Sequence, residues 1–226
     1  MALYDKAIAI RERLVNKEGR RELADDLANC YLNKANAVWA LGDSRGAAAL
    51  YEKVVEIYER LVYKEGRREL AGDLAMCYMN KANAVGVLGD NRGAAALFEK
   101  AVGIYERLVY QEGRRELAND LAMCYMNKGC ALIVLRDRPG ALALYEKAIE
   151  IRERLVHQEG RQELAGDLAR VRLGWADVAN RLGRRDDAVR VARKARQELE
   201  SEVQRTGRAD LQRVLNWAKQ NLAELL

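Results

Sequence analysis

A repeat of 47 residues constrains the fold of this chain more than any other feature of its 226-residue sequence. Residues 4–50 and 51–97 align without a gap, and only 12 of the 47 aligned positions differ. A unit of this length cannot bury a hydrophobic core alone, so neighbouring copies must stack to form one. The copies begin at Tyr4, Tyr51, Phe98 and Tyr145, and the fourth diverges after Ala169.

Each copy contains two amphipathic helical patterns. In the first copy they run from about residue 21 to 41 and from about residue 45 to 63, with apolar side chains at helical spacing. Gly42 supplies a left-handed stop for the first helix, and Asp43 supplies an N-cap for the second. Because the turns are short, consecutive helices are predicted to be antiparallel neighbours.

The segment YLNKANAVWALGDSRGAAALYEKVVEI, residues 31–57, resembles the tetratricopeptide repeat. The period of 47 residues exceeds the family's usual period of about 34, so both helices are expected to be longer and the groove wider. Lysine also stands three times where the family usually has leucine. The matching residues are Tyr31, Ala35, Gly42, Asp43, Ala47, Tyr51 and Val54, and the lysines are Lys34, Lys81 and Lys128.

The resemblance covers essentially the whole chain and implies its architecture. We predict an all-α, tetratricopeptide-like, right-handed solenoid of about ten antiparallel helices, with four repeats and a C-terminal capping helix. The chain is expected to form a single domain over residues 1–226. Its repeats are predicted at 4–50, 51–97, 98–144 and 145–191, with a C-terminal remnant and cap at 192–226.

The sequence offers little for catalysis or metal binding. It has one histidine, His157, and aliphatic hydroxyl groups only at Ser44, Ser201 and Thr206. It contains no phosphate-binding loop and no histidine-based catalytic set. We therefore expect no enzyme activity, no metal and no cofactor.

The cysteines and the charge pattern bear on location and partners. The cysteines follow the repeat and form no CxxC pair, so free thiols in a reducing, cytoplasmic setting are expected. No uncharged run approaches a membrane span. The formal net charge of +5 is concentrated in the arginines of the last third, without the stacking aromatics typical of nucleic-acid binding. The cysteines are Cys30, Cys77, Cys124 and Cys130.

The copies differ mainly on one side of their first helix. The differing positions are spaced by 4, 3, 4, 3 and 1 residues, which places them on an arc of roughly 100° opposite the packing residues. In the first copy these positions are Asp25, Asn29, Leu32, Asn36, Trp39 and Ala40. We call this arc the variable face. By resemblance to the family it is the concave wall that binds a partner, with apolar side chains in copies two and three and charges in copy four. The candidate binding residues are Leu32, Asn36, Trp39, Met76, Met79, Asn83, Met123, Met126, Cys130, Ile133, Arg170, Asp177 and Arg181.

Two interpretations of the variable face remain open. The first is a protein-interaction module or scaffold that binds a peptide or helix with apolar anchors and an acidic end. The second is a self-associating scaffold, in which the apolar groove or an open N-terminal end contacts another copy. The chain begins inside a second-type helix whose apolar side lacks one neighbour, and this pattern suggests a homodimer through that end or a fragment of a longer protein. By resemblance to the family, the near-identical repeats suggest the sensor or scaffold part of a larger signalling protein, and an engineered repeat is a further alternative.

The lysine of each repeat is expected to project toward the packed side. A buried ammonium group needs a carboxylate partner or an escape to water. Glutamates repeated at the end of the second helix are the candidate partners, and Trp175 replaces the lysine in copy four, where the ladder of pairs is expected to end. The glutamates are Glu12, Glu59, Glu106 and Glu153.

Overall fold

The computed structural model describes residues 1–225, and the described residues form ten α-helices and no strand. The helices alternate between an A type, the first of each repeat, and a B type, the second. The B-type helices are α1 (Ala2–Glu12), α3 (Ser44–Glu59), α5 (Asn91–Glu106), α7 (Arg138–Glu153) and α9 (Arg185–Thr206). The A-type helices are α2 (Ala24–Ala40), α4 (Ala71–Val87), α6 (Ala118–Val134), α8 (Ala165–Arg181) and α10 (Ala209–Leu225).

The chain divides into two compact units. The first is Met1–Leu117 and contains α1 to α5, in which each helix packs against the next. Leu61 and Leu74 are fully buried in its core, and Tyr58 is nearly so.

The second unit begins at Ala118 and contains α6 to α10. Each of these helices also packs against the next, and α10 contacts α8 as well as α9. Its core includes Leu121, Leu155 and Leu168. The outward side of α10 is mostly polar, with exposed Gln212, Arg213, Asn216, Lys219 and Gln220, and it also carries Trp217, which is 42% exposed.

The turn inside each hairpin follows the predicted local chemistry. Gly42 adopts φ 86°, a left-handed conformation that glycine reaches without strain. The Asp43 carboxylate then accepts a hydrogen bond from the Gly46 backbone N–H at 2.8 Å and caps α3. Asp90 and Asp137 cap α5 and α7 in the same way.

The ends of four B-type helices differ from the predicted continuous α-helix. Each of α1, α3, α5 and α7 continues into a five-residue π-helical segment, which a glycine with positive φ terminates. The exception is α9, which stays α-helical to Thr206 and ends at Gly207. The π-helical segments are Arg13–Lys17, Arg60–Lys64, Arg107–Gln111 and Arg154–Gln158.

Among the described residues, no helix combines the length and the apolar character that crossing a membrane requires.

Candidate peptide-binding surface

In the first unit, α2 and α4 carry the predicted binding residues. Met76, Asn83 and Trp39 are half-buried, and Asn36 is exposed. Leu32 and Met79 are only 7% and 4% exposed, so they contribute mainly to packing. The helical spacing overestimated the accessibility of these two positions, because a neighbouring helix covers that edge of the arc.

In the second unit, α6 and α8 carry the remaining predicted residues. Met123, Met126 and Ile133 are half-buried, and Cys130 is exposed. The charged members on α8 are paired internally. The Arg170 guanidinium lies 2.9 Å from Asp167, and that of Arg181 lies 3.0 Å from Asp177. The expected basic end of the surface is therefore largely neutralised by its own chain.

Tyrosines of the B-type helices hold polar side chains of the variable face in place. Tyr51 donates a hydrogen bond to the Asn36 amide oxygen at 2.7 Å, and Tyr58 donates one to Asp25 at 3.0 Å. Burial and the nearby Asp25 carboxylate raise the pKa of Tyr58 far above its ordinary value, so its hydroxyl remains a donor. In the second unit, the hydroxyl of Tyr145 lies 3.3 Å from the Cys130 sulfur.

A buried arginine, Arg152, lies beside the variable face of the second unit and was missed by the sequence analysis. Its side chain extends from α7, and one terminal nitrogen lies 3.7 Å from the Met126 sulfur and 3.1 Å from the Asp167 backbone oxygen. The residue is 2% exposed, and its Nε has no hydrogen-bond partner. Burial lowers the pKa of the guanidinium; the charge of Asp167 raises it, and that of Arg170 lowers it.

A signal for Arg152 was present in the sequence. Its repeat equivalents are Arg11 on α1, Tyr58 on α3 and Tyr105 on α5, so the difference lies on the second helix of the hairpin. In the α2–α3 hairpin Tyr58 donates to Asp25, and the residue equivalent to Asp25 on α6 is Asn119. The Asn119 side-chain oxygen is buried without a hydrogen-bond partner. The α6–α7 hairpin thus has a buried cation where the first hairpin has a matched phenol and carboxylate.

Two lysines of the ladder have carboxylate partners, but these are not the predicted Glu12 and Glu59. Lys34 pairs with Asp5 at 2.6 Å, and Lys81 pairs with Glu52. Glu12 instead accepts a hydrogen bond from Tyr31, as Glu59 does from Tyr78. The two lysine side chains are 22% and 17% exposed. Each is therefore partly buried and also paired with a carboxylate.

The ladder also does not end at Trp175. The indole N–H of Trp175 donates a hydrogen bond to Glu146 at 3.1 Å, and Glu146 is the repeat equivalent of Asp5 and Glu52. An uncharged donor therefore replaces the ammonium group without losing the carboxylate contact.

Comparisons with known proteins agree with this geometry. The fold and surface define a helical-hairpin repeat protein, and a family model described as the tetratricopeptide repeat matches residues 27–62, 74–109 and 121–158. The chain belongs to the tetratricopeptide repeat family. The predicted fold class, an all-α solenoid of this type, is confirmed. No curated protein sequence is a significant match to the chain.

Three solved structures illustrate the shared fold. The crystal structure of BtubC (BKLC) from P. vanneervenii is 19% identical with a TM-score of 0.60, and the match covers 98% of this chain and 92% of that one. MamA is 17% identical with a TM-score of 0.58, covering 89% and 91%. A putative kinesin light chain with nearly identical TPR-like repeats from Podosopora anserina is 18% identical with a TM-score of 0.55, covering 87% and 95%. At these identities the likeness shows the fold alone, and proteins with such repeats generally mediate protein–protein interaction or scaffolding.

Proposed function

We propose that this chain is a non-enzymatic, cytoplasmic interaction module whose variable face binds a peptide or helix of a partner protein. The observation that carries the proposal is the partial exposure of apolar, adaptable side chains at equivalent positions in both units. Met76 on α4 and Met123 on α6 are both half-buried, although a face with no partner would favour polar residues. Both side chains can adjust to an apolar anchor of the partner.

The charge distribution favours an acidic side chain in the partner that binds the second unit. Arg170 and Arg181 have intramolecular carboxylate partners, whereas Arg152 has no ion pair within 4.0 Å in the described part of the chain. A buried guanidinium bonded only to a backbone oxygen and a thioether is poorly compensated. A carboxylate reaching past Met126 would supply the missing charge.

The test is a selection from a random displayed-peptide library on the complete chain, followed by fluorescence polarisation with the best peptide. We expect the double variant Met76→Asp plus Met123→Asp to weaken binding by at least about tenfold, since each change puts a charge into an apolar contact. Met79 and Met126 are less suitable targets, because Met79 is buried and Met126 contacts Arg152.

The matched control is Ala49→Asp plus Ala143→Asp, which adds the same charges to exposed, equivalent positions of two B-type helices. It should change the affinity by less than about twofold. Selection of no peptide above background, or equal loss in both double variants, would contradict the proposal. Selected peptides without acidic residues would remove only the role of Arg152.

A self-associating scaffold is the second candidate function. On α1, Leu3 is 81% exposed and Ile10 is 55% exposed, and these side chains lie two helical turns apart on one side. We infer that this side can pair with a second copy. Sedimentation equilibrium should then show a dimer that Leu3→Asp plus Ile10→Asp converts to a monomer, whereas a wild-type monomer at all concentrations would exclude it.

A further inference from the structure

The second unit contains a cavity of about 450 Å³ that the proposed binding surface does not use. It lies between the C-terminal half of α9 and the segment 156–169 that leads into α8. Val156, Leu168 and Leu199 form apolar walls. Polar and charged side chains surround them, namely His157, Gln162, Lys194, Gln197, Glu198, Ser201, Glu202 and Arg205.

Three substitutions on α9 explain why the fourth copy has this cavity. Glu198 and Glu202 stand where α7 and its π-helical end have Ile151 and Leu155, which are 4% and 1% exposed. These two aliphatic side chains fill the core of the α6–α7 hairpin. The two carboxylates line the cavity and each has an ion-pair partner, because Glu198 pairs with Arg172 and Glu202 with Arg205.

Ser201 is the third substitution and lies at the mouth of the cavity. The other copies have arginine at this position, and Arg154 extends across the end of its helix to Glu159 at 3.3 Å. Ser201 is too short to make that contact, and Thr206 replaces the glutamate. The tail of α9 also lacks the π-helical turn that ends the other B-type helices. The mouth is therefore left open at an exposed serine.

The charges around the cavity already have partners of opposite sign. Lys194 lies 3.1 Å from Glu153. With the Glu198–Arg172 and Glu202–Arg205 pairs, the wall has little net charge to offer a ligand. The groups available to a ligand are the apolar surface, the Ser201 hydroxyl and the Gln197 amide.

We propose that this cavity is a binding site for a small uncharged molecule with an apolar ring or branched body and one hydroxyl or amide group. A dry apolar cavity of roughly 150 Å³ binds benzene, so a volume three times larger accepts a substituted ring. The body would contact Val156, Leu168 and Leu199, and its polar group would hydrogen-bond at Ser201. This site is independent of the variable face and of any peptide partner.

The experiment measures binding of 4-methylphenol to the isotope-labelled complete chain by NMR, with amide shifts assigned around the cavity. We expect saturable shifts confined to the cavity residues. The charged analogues 4-methylbenzoate and 4-methylbenzylammonium should bind at least about tenfold more weakly, because no wall charge is free to compensate them.

Ser201→Arg restores the arginine of the other copies at an exposed position and should weaken 4-methylphenol binding by at least about tenfold. Gln204→Arg adds the same charge to exposed α9 surface outside the cavity and should change it less than about twofold. Glu202→Leu is a second closing variant, and thermal unfolding checks that each variant is folded. No saturable binding, stronger binding of either charged analogue, or unchanged binding in both closing variants would overturn the proposal.

Discussion

The first hairpin, α2–α3, and the last complete hairpin, α8–α9, stabilise equivalent junctions with different chemistry. In the first, Tyr31 donates to Glu12, and the Lys53 ammonium lies 4.9 Å above the tyrosine ring. In the last hairpin, Arg172 stands at the position equivalent to Tyr31 and pairs with Glu153 and with Glu198.

The difference shows that the substitutions in the last hairpin are coupled. A phenol needs one acceptor, but a guanidinium that is 1% exposed needs more than one carboxylate to offset its desolvation. Glu198 supplies the second carboxylate at the position where α3 of the first hairpin has Ile57. The arginine at the junction and the loss of an apolar core residue on α9 therefore belong to one change.

Removal of Arg172 should give the largest effect on this comparison. Arg172→Ala removes a buried guanidinium that pairs with two partly exposed carboxylates and leaves Lys194 as a partner of Glu153 alone, so we expect a loss of about 2 kcal/mol in the free energy of unfolding, measured by urea denaturation. The control Arg170→Ala removes an exposed i,i+3 pair and should cost less than about 1 kcal/mol.

The coupling itself is tested by Arg172→Tyr plus Glu198→Ile, which rebuilds the junction of the first hairpin. This double variant should be more stable than Arg172→Ala. Equal instability of the two would show that the last hairpin does not tolerate the phenol-based junction.

The indole contact should give a smaller effect. Trp175→Phe keeps most of the buried ring but removes the N–H that Glu146 accepts, so a loss of about 1 kcal/mol is expected. A double-mutant cycle with Glu146→Ala, which removes the acceptor, checks the cause by urea denaturation. If the two single losses simply add, the hydrogen bond is not their common origin.

The smallest effect concerns pH, with opposite signs in the two units. In the first unit, burial and then the charge of Asp25 raise the pKa of Asp73 above 3.8, against a lowering by Arg114. Ionisation of Asp73 therefore weakens the fold as pH rises from the unfolded pKa through the folded one. Asp73→Asn should be more stable than the wild type at pH 7, and the difference should vanish below both pKa values.

In the second unit, burial alone would raise the pKa of Glu153, but hydrogen bonds from Arg172 and Lys194 lower it below 4.5. The stability that ionised Glu153 contributes is fully present above its pKa in the unfolded chain. It is lost as the pH falls through its pKa in the folded protein. Glu153→Gln should therefore be less stable than the wild type at pH 7. Urea denaturation from pH 3 to 7 measures the free energy of unfolding of both variants. If both were more stable, or both less stable, than the wild type at pH 7, the comparison would be contradicted.

The helix boundaries could be predicted from the sequence because the residues that set them act on backbone only a few positions away. The Gly42 stop and the Asp43 cap depend only on backbone geometry near the turn, and the helical period locates the packed side. The sequence could not choose between Asp5 and Glu12 as the partner of Lys34. Both lie on the same side of α1, two turns apart, and only the packed structure shows that Lys34 contacts Asp5 while Tyr31 contacts Glu12.

The candidate surface was predicted less completely than the fold. Helical spacing assigned Met76 and Met79 to the same arc, but the neighbouring side chains that bury Met79 come from outside the helix and leave no trace in its period. Arg152 was missed because a B-type residue reaches beneath a surface that the A-type helices define.

The cap of α3 has a consequence for the engineering of such repeats. A Cβ atom at Gly46 would lie 2.3 Å from the Asp43 carboxylate oxygen, and the same collision recurs at Gly93 and Gly140. Alanine normally stabilises a helix by about 1 kcal/mol relative to glycine, but here it would displace the carboxylate from the amide that it caps. The aspartate and the glycine three residues later are therefore coupled. Replacing the glycine by alanine while the aspartate is kept is expected to make the hairpin less stable.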